Sequence, residues 1–564
     1  MVNLFKKSLF SLFLLLILIG SAQAVNFGPK DIGAARITVI QNWTINFSNN
    51  IPSFFDLKVF GFKNTYFQNA SIDAVASLPY TQGTDSLGNT VLTFHLTPTS
   101  SVETVELESI VDLNYYNSPT YSNTPNITYL DPTSITGYDP QMLDQAQLLV
   151  QGSNSNLEKL TSITNFVHNW ITYAGFGYGP SINNATYIYY ARHGFCGDYA
   201  HLEIALLKAV GIPARFVAGL VCSDNCTDFA NSQTNWGSHG WIEAYIGGQW
   251  IPADPTFNEV GVLDATHAKF YQGPDQLSFQ EQYSSPYNYP LQQVISTIVR
   301  NTSVQVNYFT PATPQAQLSI YIPENTVGPN SIVNITANLN NPTGFETSVP
   351  LSILVPSELK ISENSDTIVY LPPYSNSSYT WTAITPDNLT NGYDYIFPIG
   401  IQTLGQTIWT NITANSDFKS TNGSSVGLQG FTFTSYIQNS SETLDFKIQN
   451  FGNQPDNINA TLNFNGITLN KQIVVSGQST TDLNFILPYQ IANNATEGTL
   501  KLESTGSYIV QPFKVYYQSP APLVQINPVS TVDLGSSNWQ NSLIATLSAT
   551  IIILVLILVV LKRN

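Results

Sequence analysis

The side chains of Cys196, His239 and Asp254 are the ones in this sequence that could together support nucleophilic chemistry. Cys196 lies in the segment GFCGDYA, between two glycines, and a helical pattern of apolar residues is predicted directly after it. A thiol at the start of a helix lies at the positive end of the helix dipole, which favours the thiolate. An isolated cysteine is more often a small buried hydrophobe, so the thiol needs a base to be of interest.

His239 and Asp254 are predicted to lie at the open end of one β-hairpin. His239 begins a run of strand pattern, Asp254 ends the next run, and Gly247 and Gly248 form the turn between them. A carboxylate in that place can accept the imidazole N–H, fix its tautomer and stabilise the imidazolium. Each residue alone is weak evidence, since a lone histidine is usually structural and an Asp before Pro usually forms a turn. Their joint placement predicts a base with its orienting carboxylate.

Cys222 and Cys226 are the other two of the three cysteines in the chain. Their spacing in the segment CSDNC predicts a local disulfide, which leaves Cys196 as the free thiol. A metal pair that also uses Asp224 and Asp228 is the alternative. That pair lacks the second set of Cys or His ligands that a structural zinc site has, so no metal is predicted.

Three residues are predicted to line a substrate pocket next to the thiol: Gly197, Trp236 and Trp241. A glycine at position 197 leaves space for a substrate backbone, and the two tryptophans are interpreted as hydrophobic walls. The backbone N–H of Cys196 is the first candidate for an oxyanion donor. Trp170 is a weak candidate for the second donor, because its spacing predicts packing within a helix.

His239 is preferred as the base over the other histidines, of which the chain has six in all. His193 and His201 lie close to Cys196 in sequence, but helical spacing directs His201 away from the thiol. The remaining three are interpreted as structural: His95, His168 and His267.

Four segments around these residues resemble the transglutaminase-like (papain-like cysteine) superfamily, and their order and spacing fit it. They are GFCGDYA (194–200), VGIPARFV (210–217), HGWIE (239–243) and WIPADPT (250–256). The resemblance covers residues 150–260 and therefore concerns only a part of the chain.

The resemblance implies a triad in which Cys196 is the nucleophile, His239 the general acid and base, and Asp254 the orienting group. The implied chemistry is acyl transfer through a thioester, with water or an amine as the acceptor. We expect hydrolysis of peptide or isopeptide bonds in an extracellular protein or wall peptide. A cross-linking transglutaminase is one alternative, and a non-enzymatic adhesion or assembly protein that uses the fold as a binding module is another. No cofactor is predicted, and a calcium requirement stays open.

The residues around these motifs predict an α+β domain, 139–285, with helices first and a sheet after them. Apolar residues recur at helical spacing in 142–150 and 157–170, and a third helix is predicted over 200–210. The strands that follow are predicted at 215–221, 241–246 and 250–251.

β-Patterned domains are predicted on both sides of this α+β domain. Residues 25–135 alternate apolar and polar side chains in short runs, which is typical of an antiparallel β domain. Residues 310–415 and 416–515 predict two β-sandwich modules, which we interpret as spacers or adhesion modules. The proline-containing segment 516–541 predicts a stalk. The fold class is therefore multidomain, with a papain-like core flanked by β domains.

The two ends of the chain predict a membrane-anchored surface protein. Residues 1–24 resemble a secretory signal peptide, with two lysines, an apolar core and an Ala-Gln-Ala cleavage site. Residues 542–561 are apolar and uncharged, long enough for one membrane-spanning helix, and Lys562 follows them. Fifteen Asn-x-Ser/Thr sites outside these ends predict a glycoprotein. We expect a single pass through the cell membrane with the bulk of the chain outside.

The charge composition excludes one large class of function. Only 10% of the 564 residues are charged, and 37 acidic against 20 basic residues give a formal net charge of −17. A nucleic-acid-binding protein neutralises phosphates with basic patches, which this composition does not provide. No nucleic-acid partner is therefore expected.

Overall fold

The computed structural model of the chain describes most of the residues between the two termini. The described ranges are 28–47, 51–71, 76–115, 129–174, 182–222, 226, 228–232, 235–279, 282–284, 295–362, 364–423, 426–436, 441–464, 466–488, 496–504 and 508–515. The predicted signal peptide (1–24), stalk (516–541) and membrane helix (542–561) lie outside these ranges. None of the helices in the described ranges has the length and apolar character needed to cross a membrane.

The first part of the chain forms six strands of a two-sheet β domain. They are β1 (Ile32–Phe47), β2 (Phe55–Phe60), β3 (Gln68–Ser71), β4 (Tyr80–Thr84), β5 (Thr90–Leu96) and β6 (Val102–Asn114). Alternate side chains of β1, β2 and β5 are buried, among them Trp43, Leu57 and Phe94. The period of two in the sequence places these side chains between the sheets, because successive strand residues point to opposite faces.

This first β domain is completed by two strands that lie far along the chain. β15 (Ile295–Pro311) pairs antiparallel with β1, and β14 (Gln282–Ser284) pairs with β2. The two sheets have the strand orders β15-β1-β6-β3 and β14-β2-β5-β4. The domain predicted over 25–135 therefore also contains residues that follow the α+β domain, and the α+β domain is an insertion in it.

Four helices precede the strands of the α+β domain, and two two-residue strands, β7 and β8, lie between them. The helices and short strands are α1 (Pro140–Leu149), α2 (Asn156–Trp170), β7 (Thr172–Tyr173), α3 (Ala185–Ala191), β8 (His193–Gly194) and α4 (Cys196–Ala209). Polar side chains accept hydrogen bonds from the first turns: Asp139 caps α1, Ser155 caps α2 and Asn184 caps α3. Helix α4 is buried on nearly all sides and begins at Cys196, four residues before the predicted start at 200.

A five-stranded antiparallel sheet follows the helices, with the strand order β12-β11-β10-β9-β13. The strands are β9 (Ala214–Cys222), β10 (Trp236–Ile246), β11 (Gln249–Asp254), β12 (Glu259–Val260) and β13 (Ala268–Gly273). The β10–β11 hairpin pairs Ile242 with Ala253, and β10 continues five residues beyond its predicted start toward the N-terminus. His239 therefore lies inside a strand, and Asp254 is the last residue of β11.

The first β domain packs against the face of this sheet that is opposite the helices. A buried apolar cluster joins the two: Phe67, Tyr115, Val217, Trp241 and Leu263. The Gln68 side-chain amide donates to the Lys269 carbonyl oxygen at 2.8 Å and accepts from the Lys269 N–H at 2.7 Å. The amide thus continues the backbone pairing of β13 into the neighbouring domain.

The C-terminal part of the described chain forms two β-sandwiches. The first has the strands β16 (Gln317–Tyr321), β17 (Thr326–Val327), β18 (Ile332–Asn340), β19 (Thr347–Leu354), β20 (Lys360–Ile361), β21 (Asp366–Leu371), β22 (Asn376–Ile384), β23 (Tyr395–Thr403) and β24 (Gln406–Ala414). The second has the strands β25 (Val426–Tyr436), β26 (Ser441–Asn450), β27 (Asp456–Phe464), β28 (Ile467–Val475), β29 (Ser479–Pro488), β30 (Thr496–Glu503) and β31 (Tyr508–Val515).

The first sandwich makes direct polar contacts with helix α2. The Thr161 and Ser348 hydroxyls lie 2.5 Å apart, and the Ile368 N–H donates to the Asn165 side-chain oxygen at 3.3 Å. Buried contacts of this kind fix one domain against the other more firmly than a flexible spacer would.

A group of three buried charges stabilises the α+β sheet. Glu243 accepts hydrogen bonds from Arg215 and Lys269, each at 2.7 Å. Burial opposes ionisation of Glu243, but the two cations outweigh it and lower its pKa to about 2.

We expect Lys269→Met to lower the free energy of unfolding by about 3 kcal/mol, because it removes one of the two partners of a buried carboxylate. Lys360→Met is the matched control, since Lys360 is exposed, and its effect should stay within about 0.5 kcal/mol. Denaturant unfolding followed by tryptophan fluorescence measures both. Equal effects of the two substitutions would contradict a stabilising role for the buried group.

Candidate active site

Cys196 is the first residue of helix α4 and lies at its positive end. Phe195 precedes the helix in an extended conformation, and the Asp198 carboxylate accepts its N–H, which fixes the first turn. The thiol is half-buried and free. The N–H groups of a first helical turn have no intrahelical partners, so they can stabilise negative charge that develops near the sulfur.

His239 and the backbone N–H of Gly240 are the groups that favour ionisation of the Cys196 thiol. Burial raises the pKa of the thiol, but the charge of His239 and its hydrogen bond, together with the Gly240 N–H, outweigh burial. The pKa of Cys196 is therefore lowered. These contacts favour a thiolate–imidazolium pair.

The ring of His239 is fixed by a carboxylate and two aromatic faces. Its Nε2 lies 2.7 Å from Oδ2 of Asp254. The ring stacks on Phe257, with the centroids 5.0 Å apart and the planes at 10°, and on Trp241 at 6.0 Å and 22°. Burial opposes protonation of His239, but the charges of Asp254 and Cys196 raise its pKa to about 10.

Asp254 is fully buried, and both of its carboxylate oxygens accept hydrogen bonds. Oδ1 accepts from the N–H groups of Thr256 at 2.7 Å and Phe257 at 3.3 Å, while Oδ2 faces His239. Burial raises the pKa of Asp254, but the histidine contacts outweigh it and lower the pKa far below its ordinary value. Asp254 is therefore a carboxylate that can hold His239 in one orientation and stabilise its charge.

His267 also contacts Asp254, whereas the sequence predicts only a structural role for it. Its Nε2 lies 3.0 Å from the same Oδ2 atom that His239 contacts. Its Nδ1 lies 3.3 Å from Oδ1 of Asp264. His267 lies in the connection between β12 and β13, outside the four recognised segments, so the sequence offered no motif for it.

Two groups of three side chains in this region have ligand atoms close enough to converge on one point: His239, Asp254 and His267, and Glu259, Asp264 and His267. Both groups include His267, whose ring nitrogens already face two different carboxylates. Hydrogen bonds between these side chains therefore explain why their ligand atoms lie close together. The side chains form a hydrogen-bonded chain that extends from His239 into the protein.

The three residues predicted to line the pocket have different surroundings. Gly197 packs under the Gln276 side chain, whose oxygen would clash with a Cβ at residue 197. Trp241 is fully buried and supports the ring of His239, so it does not form an open wall. Trp236 packs against Phe229 and is also buried. Gly197 is also buried, and it is the one of the three that follows Cys196 directly in the chain.

The alternatives considered for the base and the oxyanion donor are engaged elsewhere. His193 faces the Ala191 carbonyl oxygen at 2.8 Å, and His201 faces the Asn183 carbonyl oxygen at 3.1 Å. Burial lowers the pKa of His201 to about 4, so it is neutral at pH 7. Trp170 donates its indole N–H to the carbonyl oxygen of Tyr189, which removes it as a candidate oxyanion donor.

A disulfide joins Cys222 and Cys226 at the end of β9. Both residues are buried, and Cys222 pairs with Trp236 at the start of β10. The bridge thus joins the end of β9 to the loop that leads to β10.

Residues 144–255 match the sequence model of the Transglutaminase-like superfamily, and this segment contains Cys196, His239 and Asp254. An uncharacterised protein of Mycobacterium leprae is 40% identical over 72 residues, which are 13% of this chain and 24% of that protein. The uncharacterised protein YebA of Bacillus subtilis is 29% identical over 76 residues, which are 12% of this chain and 10% of YebA. The matches therefore span about a quarter or less of the length of these relatives.

Two solved structures are also similar to the chain. A candidate cysteine protease from Cytophaga hutchinsonii is 20% identical, with 50% of this chain and 94% of that chain covered, and the TM-score is 0.35. Red sea bream transglutaminase is 11% identical, with 88% of this chain and 94% of that chain covered, and the TM-score is 0.18. The similarity to the superfamily is carried by the sequence match of residues 144–255.

We expect Gly240→Ala to lower the free energy of unfolding by about 1–3 kcal/mol, because its Cβ would lie 2.8 Å from the buried ring of Phe216. The shift of the Gly240 N–H should also slow alkylation of Cys196. Gly237→Ala in the same strand is the matched control, since a Cβ there meets open space. Adding Phe216→Leu should restore part of the stability. If Gly240→Ala were as stable as Gly237→Ala, the close packing at this position would be wrong.

Proposed function

We propose that the transglutaminase-like domain, to which residues 144–255 belong, makes this protein a thiol enzyme that transfers acyl groups from amide bonds. One observation carries the proposal. The pKa of a free thiol at a helix start is lowered by His239, and the His239 ring nitrogen Nε2 lies 2.7 Å from the Asp254 carboxylate. An adhesion module that only binds a partner has no need of this arrangement.

The proposed reaction begins with attack of the Cys196 thiolate on the carbonyl carbon of an amide. A carbon–sulfur bond forms, and the carbonyl oxygen becomes an oxyanion next to the first N–H groups of α4. His239 then gives its proton to the departing nitrogen as the carbon–nitrogen bond breaks, which leaves a thioester and neutral imidazole. The imidazole takes a proton from the acceptor, and the acceptor displaces the sulfur.

Water is the acceptor we propose, so the reaction is hydrolysis of a peptide or isopeptide bond. Cys196 is a partly exposed residue, and a thioester in such a place is open to hydrolysis unless water is excluded from it. Together with the surface position predicted from the two ends of the chain, this favours an extracellular protein or wall peptide as substrate. Transfer to an amine, which would make the protein a cross-linking enzyme, is the alternative that the experiments separate.

Alkylation of Cys196 by iodoacetamide tests the triad without a substrate. At pH 6 we expect the second-order rate constant to fall about 100-fold in His239→Ala, because the thiol then has an ordinary pKa and is almost entirely protonated. His193→Ala is the matched control and should behave as wild type, since His193 hydrogen-bonds the Ala191 carbonyl oxygen. An equally slow reaction of wild type and His239→Ala at pH 6 would rule out the proposed nucleophile.

A glutamine-containing peptide offered together with a labelled primary amine separates the acceptors. We expect cleavage or ammonia release without incorporation of the amine, and loss of both products in Cys196→Ala. Mass spectrometry of the peptide and an ammonia assay measure the outcome. Incorporation of the amine would instead establish cross-linking. Turnover that persists in Cys196→Ala would refute a thioester intermediate.

A further inference from the structure

The carboxylate of Asp254 lies between two imidazole rings, and only one of them faces the thiol. His239 and His267 approach the same oxygen, Oδ2, at 2.7 and 3.0 Å. The His267 side chain is fully buried, as is Asp254. A buried histidine that shares the oxygen of the orienting carboxylate is placed to act on the site through that carboxylate.

Both ring nitrogens of His267 face acceptors, which requires a proton on each. Nε2 faces Asp254, and Nδ1 faces both Oδ1 and the carbonyl oxygen of Asp264, at 3.3 and 3.2 Å. A neutral imidazole carries one N–H and could satisfy only one of these sides. Consistent with this, burial alone would lower the pKa of His267, but the two carboxylates raise it well above its ordinary value.

The groups that face His267 come from every element packed around it. Asp254 ends β11, His239 belongs to β10, Asp264 lies in the same loop, and Glu259 in β12 hydrogen-bonds the Asp264 N–H at 2.9 Å. On the remaining sides lie aromatic rings: Tyr115, Trp241 and Phe257. Burial raises the pKa of Glu259 to about 8, so this carboxyl is largely protonated at pH 7 and adds little negative charge.

We propose that His267 is a positioning residue for the reaction, a buried cation that holds Asp254 in place and offsets part of its charge toward His239 and Cys196. This proposal rests on the function proposed above. Without a positive charge on His267, the full negative charge of Asp254 would make His239 hold its proton more tightly. His239 would then be a poorer proton donor to the leaving nitrogen, because catalytic efficiency depends on a match between proton affinity and working pH.

His267→Gln tests the proposal, because glutamine keeps an N–H donor toward Asp254 and removes the positive charge. Loss of a nearby buried cation raises the pKa of every neighbouring acid. We therefore expect both limbs of the pH profile, for iodoacetamide alkylation of Cys196 and for amide turnover, to move upward by about one pH unit. A residue with a purely structural role would change stability and leave the limbs in place.

Tyr115→Phe is the matched control for His267→Gln. It removes the 3.0 Å hydrogen bond from the tyrosine hydroxyl to the His267 carbonyl oxygen but leaves the imidazole and its charge. We expect Tyr115→Phe to lower the stability and to leave both limbs of the pH profile in place. If wild type shows the low thiol pKa but the pH profile of His267→Gln does not move, the role proposed for His267 is overturned and the proposed function stays intact. An ordinary thiol pKa in wild type would instead refute the proposed function.

A spectroscopic measurement covers the case in which His267→Gln does not fold. In the full chain with ¹⁵N-labelled histidine, we expect two of the six histidines, His239 and His267, to stay protonated on both nitrogens from pH 6 to 8. One of these two imidazolium signals should remain in His239→Ala, and it belongs to His267. The absence of any such signal in His239→Ala would show a neutral His267 and overturn the proposal.

Discussion

The ionised carboxylate of Asp254, held without contact to solvent, is the feature on which the rest of the site depends. A buried carboxylate is stable only if charged or polar donors compensate its charge. Each carboxylate oxygen of Asp254 has two such donors. Two imidazoles supply the donors on one oxygen, and the N–H groups of Thr256 and Phe257 supply them on the other. The same four contacts fix the direction of His239, so the conditions that keep the charge buried also align the base with Cys196.

These contacts require support from outside the α+β domain. On one side, the first β domain covers the sheet, and Tyr115 and Gln68 hydrogen-bond the backbone of His267 and Lys269. On the other side, the Asn165 amide oxygen accepts hydrogen bonds from Asn258, just beyond Asp254, and from Ile368 in the first sandwich. The flanking domains therefore hold the loops of the candidate site, a role beyond that of the spacers or adhesion modules expected from sequence.

Local patterns were sufficient for the parts of the site that are close in sequence. The two-glycine turn and the strand period predict a hairpin that brings His239 toward Asp254, and the structure places these side chains in contact. Contacts between residues far apart in the chain have no such signal in the sequence. β15 pairs with β1 although the whole α+β domain lies between them in the chain, and His267 contacts Asp254 from a loop that has no recognisable motif. The extent of α4 was underestimated because Gly197 interrupts the apolar pattern, although Asp198 fixes the first turn through the Phe195 N–H.

The low charge content of the chain can be understood from the positions of its buried charged residues. Among the described residues, eleven Asp, Glu, Lys and Arg residues are buried, and ten of them fall between Asp198 and Asp275. Burying an ionisable group costs free energy unless partners are built around it, and a β-sandwich can be stabilised by apolar packing alone. Of these groups, the β domains bury only Asp456 in the described ranges, while the α+β domain holds the other ten. Such a distribution is expected where charge serves chemistry, since one of these buried groups, Asp254, acts on the proton affinities of both His239 and Cys196.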